Sequence, residues 1–164
     1  MIKLFGACLI VSAFGIWGVS KSKRLKTRCD SLLSAISSMN LLESEIAFGG
    51  KDISAALFSV GMAENMPLFT EIAENLENST MFAAFSEAVK KSHMCFANAD
   101  KDVFAEFFTN LGALSKESQI AAISHTRELL SACRHQASED YRKYGRLYRN
   151  TGFLLGLLIA IILI

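Results

Sequence analysis

The sequence predicts an all-α fold: a cytoplasmic bundle of about six helices, flanked by an N-terminal and a C-terminal transmembrane helix. Three observations predict it. The chain carries an uncharged run of 17 residues from Leu4 to Ser20 and another of 14 from Thr151 to Ile164. A basic collar borders the inner side of each run. Between the collars, apolar residues recur every three or four positions, with a single proline and no sustained alternation.

The first run, LFGACLIVSAFGIWGVS, has the minimum length for a span, and Trp17 near its inner end suits a lipid–water boundary. A secretory signal would also place Lys3 before an apolar run. The run leads, however, into KSKRLKTR, a stop-transfer pattern rather than a cleavage site. The second run, TGFLLGLLIAIILI, has no polar face at all, which suits lipid or a large core. At about 1.5 Å per residue it covers roughly 21 Å of a hydrocarbon layer about 30 Å thick. Leu147 and Tyr148 can lengthen it while Arg146 and Arg149 snorkel to the headgroups.

Lys21, Lys23, Arg24, Lys26 and Arg28 form the first collar; Arg142, Lys143, Arg146 and Arg149 form the second. Lys and Arg near membrane ends are retained in the cytoplasm. The expected organisation is therefore a span at 1–20, a cytoplasmic helical domain at 21–149 and a span at 150–164. All sixteen acidic residues lie between Asp30 and Asp140, against seven Lys or Arg, so this segment has nine negative charges in excess. An acidic domain repels phosphate backbones, which argues against nucleic acid as a partner. The collars instead suit membrane lipid headgroups.

Leu32, Ile36, Met39, Leu42 and Ile46 place an apolar stripe on a helix that continues the first span and stops at Gly49-Gly50. Asp52 caps a second helix carrying Ile53, Leu57 and Val60, ended by Gly61. Pro67 opens a third with Leu68, Ile72 and Leu76. After the turn Asn78-Ser79-Thr80, a fourth carries Phe82, Phe85 and Val89. Asn98 or Asp100 opens a fifth, whose Val103, Phe104, Phe107, Phe108 and Leu111 read as core rather than as a binding surface. Ser115, in a capping-box-like SKES, starts the last helix, which carries Ile120, Ile123, Leu130 and Cys133 and runs through Tyr141, Tyr144 and Tyr148 to the second run.

Chemistry-bearing patterns are sparse. Cys8, Cys29, Cys95 and Cys133 form no disulfide framework, as expected of a reducing face. His93-Met-Cys95 and Cys133-Arg-His135 could offer metal ligands, but residues two apart on a helix diverge by about 200°. Glu43 and Glu45 diverge for the same reason, and His125 beside Arg127 and Glu128 reads as solvated surface. No phosphate-binding glycine loop, metalloprotease helix or nucleophile elbow is present, so neither an enzyme nor a cofactor is expected.

Several segments carry a resemblance: MIKLFGACLIVSAFGIWG at the start, LLSAISSMNLLESEIAFGG with Leu42, Glu43, Glu45, Ile46 and Gly49, FFTNLGALSKESQ with Leu111, Gly112 and Gln119, and YRNTGFLLGLLIAIILI with Gly152 and Gly156. In order and spacing they resemble the stage III sporulation protein AB family of endospore-forming bacteria, over nearly the whole chain. The chain departs from the family after the first glycine, where GKDISAALFSV replaces a Thr-Pro-Leu-like segment. The resemblance implies a non-enzymatic platform, similar to inner-membrane platform proteins of type II secretion and type IV pilus machines. Its implied place is the mother-cell membrane around the forespore, in an oligomeric channel complex with other membrane subunits. A companion secretion-type ATPase is its implied cytoplasmic partner. Glu43 and Glu45, favoured by the family motif, and Glu71, Glu74 and Glu77 are the expected partner-binding residues. A two-span signalling or sensor module is the alternative, but it needs an extracellular central domain, and the collars oppose that orientation.

Overall fold

The computed structural model describes the chain except Met1, Lys51, Asn78, His93, residues 112–114 and Ile164; for residues 2–5, Ala7 and Leu163 it describes the backbone alone. The described residues form six helices and no strand: α1 (Ile2–Phe48), α2 (Ile53–Ala63), α3 (Pro67–Asn75), α4 (Met81–Lys91), α5 (Asn98–Leu111) and α6 (Lys116–Leu163). They divide into two compact units. One comprises Met1–Cys29 with His135–Ile164, the other Asp30–Arg134. Both basic collars fall in the first unit together with the apolar runs.

In the second unit α1 runs unbroken to Phe48, as the spacing predicts. Gly49 then bonds back to the Glu45 carbonyl (2.8 Å), and Gly50 takes φ +58°, a left-handed conformation that glycine adopts without penalty. The buried row on α1 is Leu32, Ala35, Met39, Leu42 and Ile46; Ile36 is only half-buried, and Ala35 takes the inner position. Ser38, also buried, donates its hydroxyl to the Ser34 carbonyl (2.8 Å) and so brings no unsatisfied polar group inside.

Asp52 stands at the N-cap of α2 without a side-chain bond to the helix. Gly61 does not end α2. The terminator is Asn65, whose φ of +50° lets the Met66 N–H reach back to the Gly61 carbonyl (2.8 Å), a Schellman closure. Gly61 serves packing instead, because a Cβ there would lie 2.5 Å from Thr70 Oγ1 and 2.7 Å from Thr70 N on α3. Pro67 opens α3 at its first turn, which buries Leu68, Phe69 and Ile72, while Leu76 is half-buried at the C-cap.

Thr80 caps α4 by accepting the Ala83 N–H (3.4 Å). The inner row of α4 is Ala84, Phe85 and Ala88; Phe82, expected inside, is 52% exposed. Phe85 is inside as expected and Val89 is half-buried, while the small Ala84 and Ala88 admit close neighbours on the same face. Asp100 on α5 is fully buried and accepts the Ala97 N–H (2.8 Å), fixing the turn into the helix. Phe104, Phe107, Phe108 and Leu111 are buried as expected, with Val103 at their margin. Phe108 is the hub: its ring meets Phe85 at 5.3 Å, Phe69 at 5.8 Å edge-on and Phe107 at 5.0 Å. Successive helices α2 to α5 pack against one another in chain order.

Ser115 starts α6 by accepting the Ser118 N–H (3.4 Å), but the third position after it holds serine rather than glutamate, so the reciprocal half of a capping box is not supplied. Along α6, Ile123 and Leu130 are fully buried, whereas Ile120 and Cys133 are half-buried.

Candidate functional site

The family-like residues on α1 converge on structural work. Leu42 and Ile46 are core. Between them Glu43 pairs with Arg127 of α6 at 2.7 Å, both side chains about a third exposed. The same guanidinium reaches Asn40 Oδ1 at 2.9 Å, so Arg127 ties α6 to α1 through two partners, while its other nitrogen is steadied by Ser124 Oγ of α6 itself at 3.2 Å. Lys116 in the first turn of α6 donates to the Ala47 carbonyl (2.9 Å), satisfying a group left open at the end of α1. Gln119 donates to the Leu111 carbonyl (3.4 Å) at the end of α5.

Arg127 was not separable in sequence from the solvated neighbours His125 and Glu128, which are indeed exposed. Its partner Glu43 lies 84 residues away, beyond any local spacing rule. A double-mutant cycle on Glu43→Ala and Arg127→Ala, read by urea unfolding, should return a coupling of about 1 kcal/mol for a pair this accessible. A coupling indistinguishable from zero would reduce the pair to two independent surface charges.

The five expected partner-binding acids therefore differ in character. Glu43 is occupied in the clamp and Glu45 is half-buried beside Gly49. Glu71 on α3 pairs loosely with Lys91 of α4 (3.7 Å). Glu74 on α3 and Glu77 just beyond it are exposed. Among the described residues no group of three or more His, Cys, Asp or Glu side chains gathers to hold a metal. Cys95 lies in the α4–α5 connection rather than on a helix, and His93 is outside the described residues.

The first unit has an inverted side-chain distribution. On the α6 part of this unit the buried positions are Ala137, Gly145, Gly152, Gly156 and Ala160, while Phe153, Leu154, Leu158, Ile161 and Ile162 are each more than half exposed. On α1 Gly18 is buried, whereas Leu9 and Ile16 are at least 60% exposed. The glycines mark a backbone-to-backbone seam. A Cβ on Gly18 would lie 2.5 Å from the Tyr148 carbonyl oxygen, and one on Gly152 would lie 2.6 Å from that of Phe14. A Cβ on Gly156 would lie 3.0 Å from the Val11 Cα. Small residues thus line the helix–helix contact, and large apolar side chains face away from it. At the collar level Arg28 pairs with Asp140 (3.8 Å), and the Lys21 ammonium lies 5.9 Å from the Trp17 ring centre. Among the described residues no helix is long and apolar enough to cross a membrane. Leu4, Phe5, Leu163 and Ile164, on which the expected spans also draw, have side chains outside the description.

The family profile described as stage III sporulation protein AB matches residues 3–164. The chain is 25% identical over 170 residues to stage III sporulation protein AB of Bacillus subtilis (strain 168), covering 99% of each. It also superposes on the solved structure of a stage III sporulation protein AB, with a TM-score of 0.61 and 19% identity over 70% of this chain and 96% of that one.

Proposed function

The chain belongs to the stage III sporulation protein AB family, and on that premise we propose that it is a non-enzymatic platform subunit of a sporulation channel complex. In this reading the glycine-seamed hairpin anchors it in the mother-cell membrane around the forespore. The helical domain faces the cytoplasm and docks a companion secretion-type ATPase, and other membrane subunits assemble around the hairpin. The observation that carries the reading is the inverted hairpin, with glycines buried and large apolar side chains outward, bordered by basic collars. Exposed apolar surface of this kind marks contact with lipid or with another protein. Lipid is favoured because collars of Lys and Arg belong on the cytoplasmic side of a bilayer. The apolar runs continue in sequence through the ends whose side chains are not described, which lengthens both segments. Helices α1 and α6 each have residues in both units, giving the domain a covalent helical route to the anchor.

The acidic domain supplies charge for docking, and Glu74 and Glu77 are its exposed candidates, with Glu43, Glu45 and Glu71 partly engaged within the fold. Binding of the full chain in micelles, and of the fragment Cys29–Tyr141, to the companion ATPase tests the proposal by calorimetry at two salt concentrations. Saturable binding that weakens with salt, and weakens further in Glu74→Lys/Glu77→Lys, is expected. Failure of both proteins to bind, with the fragment demonstrably helical, would remove the ATPase as direct partner.

A further inference from the structure

Two grooves in the hairpin unit meet at one arginine. The first, of about 490 Å³, is lined by Gly15, Val19, Phe153 and Leu154 together with Arg149 and Asn150. The second, of about 710 Å³, is lined by Ser22, Tyr141, Arg142, Gly145, Arg146 and Arg149. Arg149 lines both. One groove is apolar and the other offers guanidinium and hydroxyl donors, each within the size range of small-molecule sites.

Two carboxylates lie nearby: Asp140 pairs with Arg28 at 3.8 Å, and Glu139 pairs at 3.9 Å with Arg142, itself a lining residue of the second groove. Arg146 and Arg149 have no ion-pair partner among the described residues. Two unneutralised guanidiniums beside hydroxyls call for an anion with several acceptor oxygens, which a phosphate group supplies in the geometry arginine prefers. The apolar groove reached through Arg149 calls for a hydrocarbon chain on the same molecule. We infer that these grooves together form a site for one anionic diacyl phospholipid, its headgroup phosphate between Arg146 and Arg149 and an acyl chain along Gly15, Val19, Phe153 and Leu154. The inference rests on the membrane reading of the hairpin and goes beyond it, since collars alone would attract any anionic surface without a bound stoichiometry.

Gly145 separates a built site from diffuse attraction. A Cβ there would lie 2.9 Å from the Tyr141 ring and 3.4 Å from Ser22 Oγ, so a larger side chain fills the groove without changing any charge. The test is native mass spectrometry of the full chain in dodecylmaltoside micelles. Dioleoyl phosphatidylglycerol and dioleoyl phosphatidylcholine are added in equal amounts, with circular dichroism confirming helicity for each variant. The expected result is one retained phosphatidylglycerol, selected over phosphatidylcholine. Arg146→Ala/Arg149→Ala should weaken it about thirtyfold, and Gly145→Leu should abolish it with all charges intact. Equal retention of the two lipids, or wild-type retention by a helical Gly145→Leu, would overturn the site. Displacement of the lipid by millimolar inorganic phosphate would overturn the acyl-chain assignment. Alkaline carbonate extraction of the expressed chain tests the membrane reading separately: release into the supernatant would remove integral insertion, whereas the micelle result is judged on lipid selectivity alone.

Discussion

Phe108→Ala should cost the helical domain about 3–5 kcal/mol, the largest loss expected from a single truncation in this chain. The ring is fully buried and sits where α3, α4 and α5 meet, touching Phe69, Phe85 and Phe107 and approaching Phe104 at 6.3 Å. Truncation removes its own transfer free energy and leaves a cavity between helices that are already packed through alanines. It also removes edge-on and stacked ring contacts, each contributing about 0.5–1.5 kcal/mol beyond burial. Against a total stability of about 5–15 kcal/mol, such a loss brings the domain close to unfolding at room temperature. Urea unfolding of the Cys29–Tyr141 fragment measures it, with exposed Phe82→Ala as the comparison, expected within about 0.5 kcal/mol of wild type. Equal effects at the two positions would remove Phe108 as the organising residue.

Gly152→Leu should open the hairpin. The Phe14 carbonyl oxygen stands 2.6 Å from where a Cβ would be built, and the Gly18 Cα stands at 3.1 Å. Both are backbone atoms, which cannot swing aside as a side chain does, so the helices must separate and lose the close contact along Gly18, Gly152 and Gly156. Overpacking of this kind costs about 1–3 kcal/mol. Trp17, the one tryptophan of the chain, adjoins Gly18 and reports the change without a label. A shifted emission and a lower midpoint in a dodecylsulfate titration of the micellar protein are expected for Gly152→Leu. Leu154→Ala, at a position 63% exposed, should leave both unchanged. If Gly152→Leu behaves like Leu154→Ala, the seam does not hold the hairpin together.

The helices were legible because a period of three to four residues survives in every segment, and because the stop signals are local. Gly50 in its left-handed conformation and Pro67 at the start of α3 stand where their chemistry requires. Spacing misreads the face of a helix with two apolar options. On α4 Phe82 turns outward while Ala84 and Ala88 pack beside Phe85, and on α1 Ala35 displaces Ile36 from the core. Hydropathy rewards size, whereas close helix packing rewards the lack of it, so alanine and glycine rows are underweighted. The same bias makes Gly61 read as a terminator when it is a contact with Thr70. The acidic residues were legible only as charge. That Glu43 is held by Arg127 while Glu74 is exposed depends on which helices meet, and local spacing does not carry that information.

The 84 residues separating Glu43 from Arg127 also set a schedule for synthesis. Helices α2 to α5 make contacts between chain neighbours and can assemble as they leave the ribosome. The α1–α6 clamp cannot, because Arg127 is still untranslated when Glu43 emerges. At about 5–20 residues per second, that wait lasts roughly 4–17 s. For this interval α1 stands without its α6 partners, and a nascent chain in that state is a substrate for holding chaperones. The order of the helices thus makes closure of the domain a late event in the life of each molecule.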